Sequence, residues 1–305
     1  MAKHTMTDLL QMQALPLEAK VRMTMVRVQG WINEYGRDGV YISFSGGKDS
    51  TVLMDIIRNR MGYDIPAVFA DVPTQFPELR DFATSFENVE VVRPHLSFME
   101  VCEKYGFPLI SKDVAQCLYD VSTQAKIHNV NKRDTSMWNR AFNPESDYAK
   151  KYPSFTRARF DFLIDAPFDC SHLCCNKLKK EPLKDYEKRT GRKPILATMA
   201  CESRLRQSQW FQDGCNAFNV KRPTSKPMSF WTEQDVLTYI HTNFQFVLSM
   251  EKLLKIMRPK GLWKGKLHLK NFHKTKFIRQ QEWKEQDACF ADSDVIQKMI
   301  QDFFN

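Results

Sequence analysis

The residues best suited to chemistry lie in one short loop, Ser45-Gly46-Gly47-Lys48-Asp49-Ser50. Its two adjacent glycines let backbone N–H groups approach an anion closely, in conformations that other residues avoid. The hydroxyls of Ser45 and Ser50 add donors, and Lys48 adds a mobile positive charge. Because a phosphate needs several converging donors, the loop predicts a phosphate-binding cradle. The alternative is an ordinary glycine turn in which Asp49 or Ser50 caps the next helix.

A second candidate site is rich in cysteine and lies in Cys170-Ser171-His172-Leu173-Cys174-Cys175, just before Lys177 and Lys179. Thiolates suit zinc and iron–sulfur centres, and nearby cations favour the thiolate form. The ligands predicted for such a centre are Cys170, Cys174, Cys175 and Cys215, with Cys201 as a further candidate. The alternative is a group of packed or reactive free thiols, which are common in cytosolic proteins.

Two arginines follow in the stretch Glu202-Ser203-Arg204-Leu205-Arg206. The planar guanidinium group pairs bidentately with phosphate or sulfate. Arg204 and Arg206 are therefore predicted to contact the anionic end of a ligand, with Arg206 as a catalytic candidate beside Lys48 and Asp49. The alternative is the start of a helix whose arginines are solvated.

The elements that must position these residues alternate between strands and helices. Buried strands are predicted at 40–44, 65–70, 89–92 and 194–199. Helices are predicted at 17–35, from the loop to about Gly62, at 77–87 and from Thr232 onward. This alternation predicts an α/β fold, a doubly wound parallel sheet with helices on both faces. Residues 111–168 are polar with weak periodicity, which predicts an irregular insertion that shapes a substrate pocket or lid.

The composition predicts a soluble, cytoplasmic protein. Of the 305 residues, 43% are apolar and 27% are charged, so we expect a large core beneath an ordinary surface. The first residues lack the apolar stretch of a secretory leader, and no apolar run is long enough to predict a membrane span. Eight cysteines without such a leader favour a reducing compartment.

The positive net charge comes from one segment, Lys252–Lys284, whose eleven Lys or Arg residues and one acid give +10, whereas the 34 bases and 35 acids of the rest of the chain give −1. Aromatic residues such as Trp263 and Phe272 are interleaved with its cations. Because phosphates can meet the cations while bases stack on the rings, the segment is a candidate for nucleic-acid binding. The alternative is a solvated amphipathic terminus.

The loop Ser-Gly-Gly-Lys-Asp-Ser resembles that of the N-type ATP pyrophosphatases and phosphoadenosine phosphosulfate (PAPS) reductases, in the PP-loop (adenine nucleotide alpha hydrolase-like) superfamily. Three further blocks resemble the reductase branch: 71–78, which begins with Asp71, 174–183, which begins with Cys174-Cys175, and 202–206. The resemblance implies a nucleotide at the carboxyl ends of the strands, with Asp71 near the adenosine. It implies a nucleotide-binding domain over 1–245, followed by a basic segment over 246–305.

The sequence departs from the pattern of this family in three places. Val72 and Pro73 replace a Thr-Gly pair after Asp71. The Cys-x-x-Cys pair that cluster-bearing relatives carry near the C-terminus is absent, and Cys289 stands there alone. The Glu-Cys-Gly-Leu-His ending of thioredoxin-dependent PAPS reductases is absent as well.

The resemblance implies an enzyme that binds an adenine nucleotide and acts in sulfur transfer or reduction. The nucleotide would be ATP, PAPS or adenosine phosphosulfate (APS), with Mg²⁺ as a further cofactor. One alternative is an ATP-dependent adenylating enzyme in nucleic-acid thiolation or phosphorothioation. The other is a non-catalytic regulator that binds a nucleotide or nucleic acid. In either enzyme, the cradle would stabilise charge on the phosphate oxygens.

Overall fold

A computed structural model describes residues 3–153 and 156–243. The basic segment Lys252–Lys284 and Cys289 lie outside the described residues. The described chain divides into two compact units, of which the first contains 3–94 and 179–243 and the second contains 95–153 and 156–178. Residues 111–168, predicted as an insertion, fall within the range of the second unit.

The first unit is built on a sheet of six strands, β1 Val40–Phe44, β2 Ala67–Ala70, β3 Val89–Val92, β4 Lys193–Leu196, β5 Asn216–Ala217 and β6 Thr224–Ser225. Their order is β3-β2-β1-β4-β6-β5, and the pairing is parallel except between β5 and β6. In the register of the central strand, Ile42 lies opposite Ala67 on one side and Ile195 on the other. The strands predicted from the sequence are confirmed as β1 to β4, and the α/β fold with them.

The described α-helices are α1 Met6–Gln13, α2 Leu17–Tyr35, α3 Lys48–Asp55, α4 Pro77–Thr84, α5 Phe98–Tyr105, α6 Lys112–His128, α7 Ser136–Ala141, α8 Asp147–Lys151, α9 Glu181–Thr190, α10 Arg204–Asp213 and α11 Glu233–Thr242. Short 3-10 helices are formed by Lys132–Asp134, Ala158–Asp165 and Ala200–Glu202, and π-helical turns by Ile56–Arg60 and Asn176–Lys180.

The two faces of the sheet have separate cores. Val40, Ile42 and Phe44 of β1 are buried in the larger core together with residues of α2, α3 and α11. Tyr41 is buried in a different cluster, where its ring lies edge-on against Tyr186 of α9 at a centroid distance of 5.1 Å. Because successive residues of a strand point to opposite faces, this separation places helices on both faces of the sheet.

Helix α2 buries the apolar face that the sequence predicted, including Val21, Val28 and Ile32. Lys20 is buried on the same helix, with only 2% of its side chain exposed. Its ammonium lies 2.7 Å from the carboxylate of Asp235 on α11. Since a buried cation is tolerated only with a well-placed partner, this ion pair fixes α2 against α11.

The described part of the second unit is mainly helical. Its core contains Val114 and Leu118 of α6 together with Phe142. The sequence analysis did not place a helix here, because α6 also carries many polar residues on its solvent-facing side. The predicted excursion from the sheet is thus a helical one, with a 17-residue helix as its longest element.

Among the described residues, no helix combines the length and apolar character that crossing a membrane requires.

Candidate functional site

The candidate site lies at the carboxyl edge of the sheet, where the parallel strands β1, β2, β3 and β4 all end. The chain leaves β1 for β2 and β3 on one side, while β4 lies on the other side. The crevice beside β1 and β4 is therefore the topological switch point, where open α/β sheets bind their ligands. The loop Ser45–Ser50 follows β1, and Arg204 and Arg206 follow β4.

The loop after β1 has the backbone that an anion cradle needs. Gly46 has a φ of +73°, and a Cβ at this position would lie 2.9 Å from Cδ1 of Leu79. Gly47 is the N-cap of α3. This helix therefore begins at the loop and directs its unpaired N–H groups toward the space beside it.

The two loop serines bind the loop itself. The Ser50 hydroxyl donates to the Gly47 carbonyl at 2.9 Å, and it accepts from the Ser45 N–H at 3.2 Å. Because Ser50 has one hydroxyl hydrogen, the Ser45 hydroxyl is the donor in the 3.0 Å contact between the two side chains. Ser50 is also buried. Both serines hold the shape of the cradle, and the predicted contact of their hydroxyls with a phosphate stays a prediction.

Lys48 and Asp49 begin α3 and lie in a cluster of charges. The ammonium of Lys48 lies 3.5 Å from the Asp49 carboxylate and 3.5 Å from that of Glu233. The Asp49 Oδ1 atom is buried and accepts no hydrogen bond within the described residues. Burial raises the pKa of Asp49, the carboxylates of Glu202 and Glu233 raise it further, and Lys48 opposes them. A cation bound at Oδ1 would offset the unfavourable free energy of the buried Asp49 carboxylate charge.

The segment after β4 contributes a second set of polar groups. The guanidinium group of Arg206 forms an ion pair with Glu202. The backbone N–H of Arg206 donates to the hydroxyl of Ser203, which caps α10. Arg204 is exposed. The Thr198 hydroxyl is buried without a hydrogen-bond partner among the described residues. Thus α10 begins beside the switch point, and it carries both predicted arginines.

The Cys201 thiol lies in the same acidic environment and donates to the Trp231 carbonyl at 3.4 Å. Partial burial of its sulfur raises the pKa of Cys201, and Glu202 and Asp49 raise it further. This environment favours the neutral thiol of Cys201 over its thiolate.

Asp71 follows β2, as the sequence analysis expected, and it is paired with Arg80 of α4 and with Arg93, which directly follows β3. The sequence analysis predicted neither arginine. Arg93 could have been found by the pattern that identified Asp71, because each is a charged residue directly after a parallel strand. Glu233 was missed as well, because its approach to Lys48 depends on the packing of α11 against α3.

A comparison with protein-family models matches residues 39–246 to the phosphoadenosine phosphosulfate reductase domain. The matched region covers more than half of the chain and contains β1 to β6. The chain belongs to the PAPS reductase family. The resemblance proposed from the loop and the later blocks is confirmed at this level. No curated protein sequence matches the chain significantly.

Family membership accounts for the common location of the loop, Asp71 and Arg206. All three follow strands of the PAPS reductase domain and lie in the first unit. The domain supports a nucleotide-related role in sulfur metabolism, within a superfamily that binds adenine nucleotides.

The predicted cysteine metal centre is not shown by the part of the chain that the structure describes. Cys170, Cys174 and Cys175 belong to the second unit, whereas Cys215 belongs to the first. Among the described residues, no three His, Cys, Asp or Glu side chains are arranged to hold a metal ion. Burial raises the pKa of Cys170 to about 11, and it also raises the pKa of Cys174 and of Cys215.

We expect the thiols to differ in their reactivity. At pH 7.5, iodoacetamide should modify the exposed Cys175 at least about tenfold faster than Cys102 and Cys170, because alkylation requires an accessible thiolate. Burial raises the pKa of both slower thiols to about 11, so their rates should rise as the pH increases toward 10. Mass spectrometry of the labelled peptides measures each rate. Equal rates at pH 7.5 would contradict the burial of Cys102 and Cys170.

Proposed function

We propose that the chain is an enzyme that binds an adenine nucleotide at the Ser45–Ser50 loop and acts on its phosphosulfate end in sulfur transfer or reduction. The observation that carries this proposal is the convergence at one switch point of a glycine cradle after β1 and an arginine-bearing helix after β4. A phosphosulfate group is a doubly anionic chain, and these two elements offer donors to both of its halves.

Each residue has a role in this proposal. The N–H groups around Gly46 and Gly47 bind the phosphate, with Ser45 and Ser50 holding the loop in shape. Lys48 moves from its carboxylate partners to the phosphate, and Arg206 contacts the terminal sulfate. Such fixed donors stabilise the charge that develops on the bridging oxygen as its bond to sulfur breaks. Reductive release of sulfite takes two electrons, which a dithiol supplies by becoming a disulfide.

A second candidate substrate is ATP, as in an adenylating enzyme. The buried Asp49 Oδ1 favours it, because this atom accepts no hydrogen bond among the described residues and lies 3.5 Å from the Lys48 ammonium. Mg²⁺ takes oxygen ligands and commonly binds through one or two carboxylates plus substrate phosphates. If Mg²⁺ accompanies the nucleotide, Asp49 would hold it, and the ion would neutralise charge on the phosphates. The proposed binding of nucleic acid by Lys252–Lys284 concerns residues outside the described structure.

Calorimetric titration of the full chain with AMP, APS, PAPS and ATP, with and without Mg²⁺, tests the proposal. We expect tighter binding of PAPS or APS than of AMP, and release of sulfite when a dithiol is present. Tighter binding of ATP that requires Mg²⁺, with release of pyrophosphate, would favour the adenylating enzyme. Failure of all four nucleotides to bind would overturn both.

Arg206→Ala is expected to weaken binding of PAPS or APS about tenfold, since a charge-assisted hydrogen bond to the terminal anion is lost. AMP lacks that anion, so its affinity should change little. Arg204→Ala tests the second predicted arginine, and Arg22→Gln is a matched control because Arg22 is an exposed arginine paired with Glu18 on α2. If the Arg206 variant lost equal affinity for AMP and PAPS, Arg206 would not contact the terminal anion.

A further inference from the structure

Two cations and two aromatic rings are in contact with one another on α7 and α8 of the second unit. The guanidinium carbon of Arg140 on α7 lies 4.9 Å from the ring centroid of Tyr148 on α8. The ring centroids of Tyr148 and Tyr152 are 5.1 Å apart, and the ammonium of Lys151 lies 5.4 Å from the Tyr152 centroid. We call these four side chains the α8 row, because the contacts link them in the order cation, ring, ring, cation.

The local structure of α8 brings the two rings together. Residues four apart on a helix lie on the same face, and the N–H of Tyr152 donates to the Tyr148 carbonyl at 2.8 Å. The Ser146 hydroxyl caps α8 by accepting from the N–H of Ala149 at 3.1 Å, and both residues are buried. The helix is therefore anchored by its small residues, and the tyrosines are not needed to start it.

The α8 row is open to solvent and carries a small positive charge. Tyr152 is 40% exposed, and Arg140 and Lys151 are exposed as well. Residues 140–153 contain three basic and two acidic side chains, which leaves a net charge of +1. The third base, Lys150, lies 3.6 Å from the carboxylate of Glu145, so this ion pair offsets two of the five charges.

Accessible rings beside exposed cations favour a single-stranded nucleic acid as the ligand. Unpaired bases stack on aromatic rings and on guanidinium planes, while the cations meet the phosphates. A duplex hides the faces of its bases, and its binding depends mainly on neutralised phosphates, for which a net charge of +1 offers little. An acidic peptide would use the two cations and leave the ring faces without a partner.

We propose that the α8 row binds single-stranded nucleic acid, with bases stacked on Tyr148 and Tyr152 and phosphates beside Arg140 and Lys151. The proposal does not rest on the proposed function, because the α8 row belongs to the second unit and the phosphate cradle belongs to the first. Stacking supplies most of the affinity, and the two cations make it dependent on salt.

A purely structural role is the competing explanation, in which the cation–ring contacts only stabilise α8. Such contacts contribute little at exposed sites, so substitutions in the α8 row should leave the protein folded under both explanations. The two explanations differ in the affinity for bases, which a structural contact would not change.

The first test measures fluorescence anisotropy of the full chain with a labelled oligothymidylate of about 12 nucleotides, the matching oligouridylate and an abasic strand of equal length. The Tyr148→Leu, Tyr152→Leu double variant should bind the two base-bearing strands about tenfold more weakly than the wild type does. Its affinity for the abasic strand should change less than about twofold, because that strand has phosphates but no bases to stack. The corresponding double Phe variant keeps both rings and should restore the affinity.

The second test measures how affinity depends on salt. Each phosphate of a single strand that a cation neutralises contributes about 0.7 to the slope of log K against log salt concentration. The Arg140→Gln, Lys151→Gln double variant should therefore have a slope smaller by about 1.4. Arg37→Gln and Lys104→Gln are matched controls that should leave the slope unchanged, since each removes an exposed cation that lies over a tyrosine ring elsewhere, at 4.4 Å and 5.6 Å.

Several results would overturn the inference. One is wild-type affinity for both base-bearing strands in the folded Leu variant, and another is the absence of any binding by the wild type. Equal losses for the base-bearing and abasic strands would show that the rings do not stack bases. Binding of polyglutamate that depends on Arg140 and Lys151 and exceeds that of the oligonucleotides would indicate an acidic protein partner instead. Adenine-nucleotide affinity, measured on the same variants, should stay unchanged, so failure of this inference and failure of the proposed function are distinguishable.

Discussion

Gly46→Ala is expected to reduce adenine-nucleotide affinity about 10- to 100-fold, the equivalent of one or two lost hydrogen bonds to a charged ligand. Gly46 has a φ of +73°, which costs an L-residue about 1–2 kcal/mol. Its new Cβ would also lie 2.9 Å from Cδ1 of Leu79, so the Leu79 side chain or the loop has to shift. A strained or shifted loop turns its N–H groups away from the phosphate. Calorimetry with the tightest-binding nucleotide measures the loss.

Gly62→Ala is the matched control, because Gly62 has a φ of +70° and a Cβ there would meet nothing within 4 Å. Both variants should lose about 1–2 kcal/mol of unfolding free energy in a denaturant titration, as expected for a left-handed residue. Loss of binding is expected only for the Gly46 variant. Leu79→Ala in the Gly46→Ala background should restore part of the affinity by removing the contact. Wild-type affinity in the Gly46 variant would show that the loop does not bind phosphate.

The cradle and the sheet could be predicted from the sequence because their signals are local. A strand, two glycines and a helix start follow one another along the chain, so the order of residues alone places Lys48 at the N-terminus of α3. Asp71 was predictable for a related reason, since the ends of parallel strands meet at one edge of the sheet. These predictions needed no knowledge of how distant segments pack.

The charges around the loop could not be predicted, because they come from distant parts of the chain. Glu233 approaches Lys48 only after α11 packs on α3, and Arg80 joins Asp71 only after α4 folds back beside β3. The metal-ligand prediction for the cysteines depends on distant packing in the same way. Their spacing suggested metal ligands, but no three His, Cys, Asp or Glu side chains among the described residues are arranged to hold a metal ion.

Lys48→Ala is expected to weaken binding of every phosphate-bearing adenine nucleotide about 10- to 100-fold, while the protein remains folded. Lys48 is the first residue of α3, and its side chain is 24% exposed, so its ammonium is partly shielded from water. Partial desolvation strengthens its attraction to a phosphate relative to an exposed lysine. Because a lysine on the first turn of a helix gains nothing from the helix dipole, its removal should not destabilise α3.

Two further variants test whether the effect belongs to the Lys48 ammonium itself. Lys188→Ala removes an exposed lysine of α9 that is likewise paired with a carboxylate, and it should leave nucleotide affinity unchanged. Glu233→Gln removes one of the carboxylates 3.5 Å from the Lys48 ammonium. Since a partly exposed ion pair contributes about 0.2–1 kcal/mol, releasing Lys48 should tighten nucleotide binding by up to about fivefold. Tighter binding in the Glu233 variant together with weaker binding in the Lys48 variant would identify the ammonium as the phosphate ligand. A folded Lys48 variant with wild-type affinity would exclude it, and the phosphate would then be bound by the backbone of the loop alone.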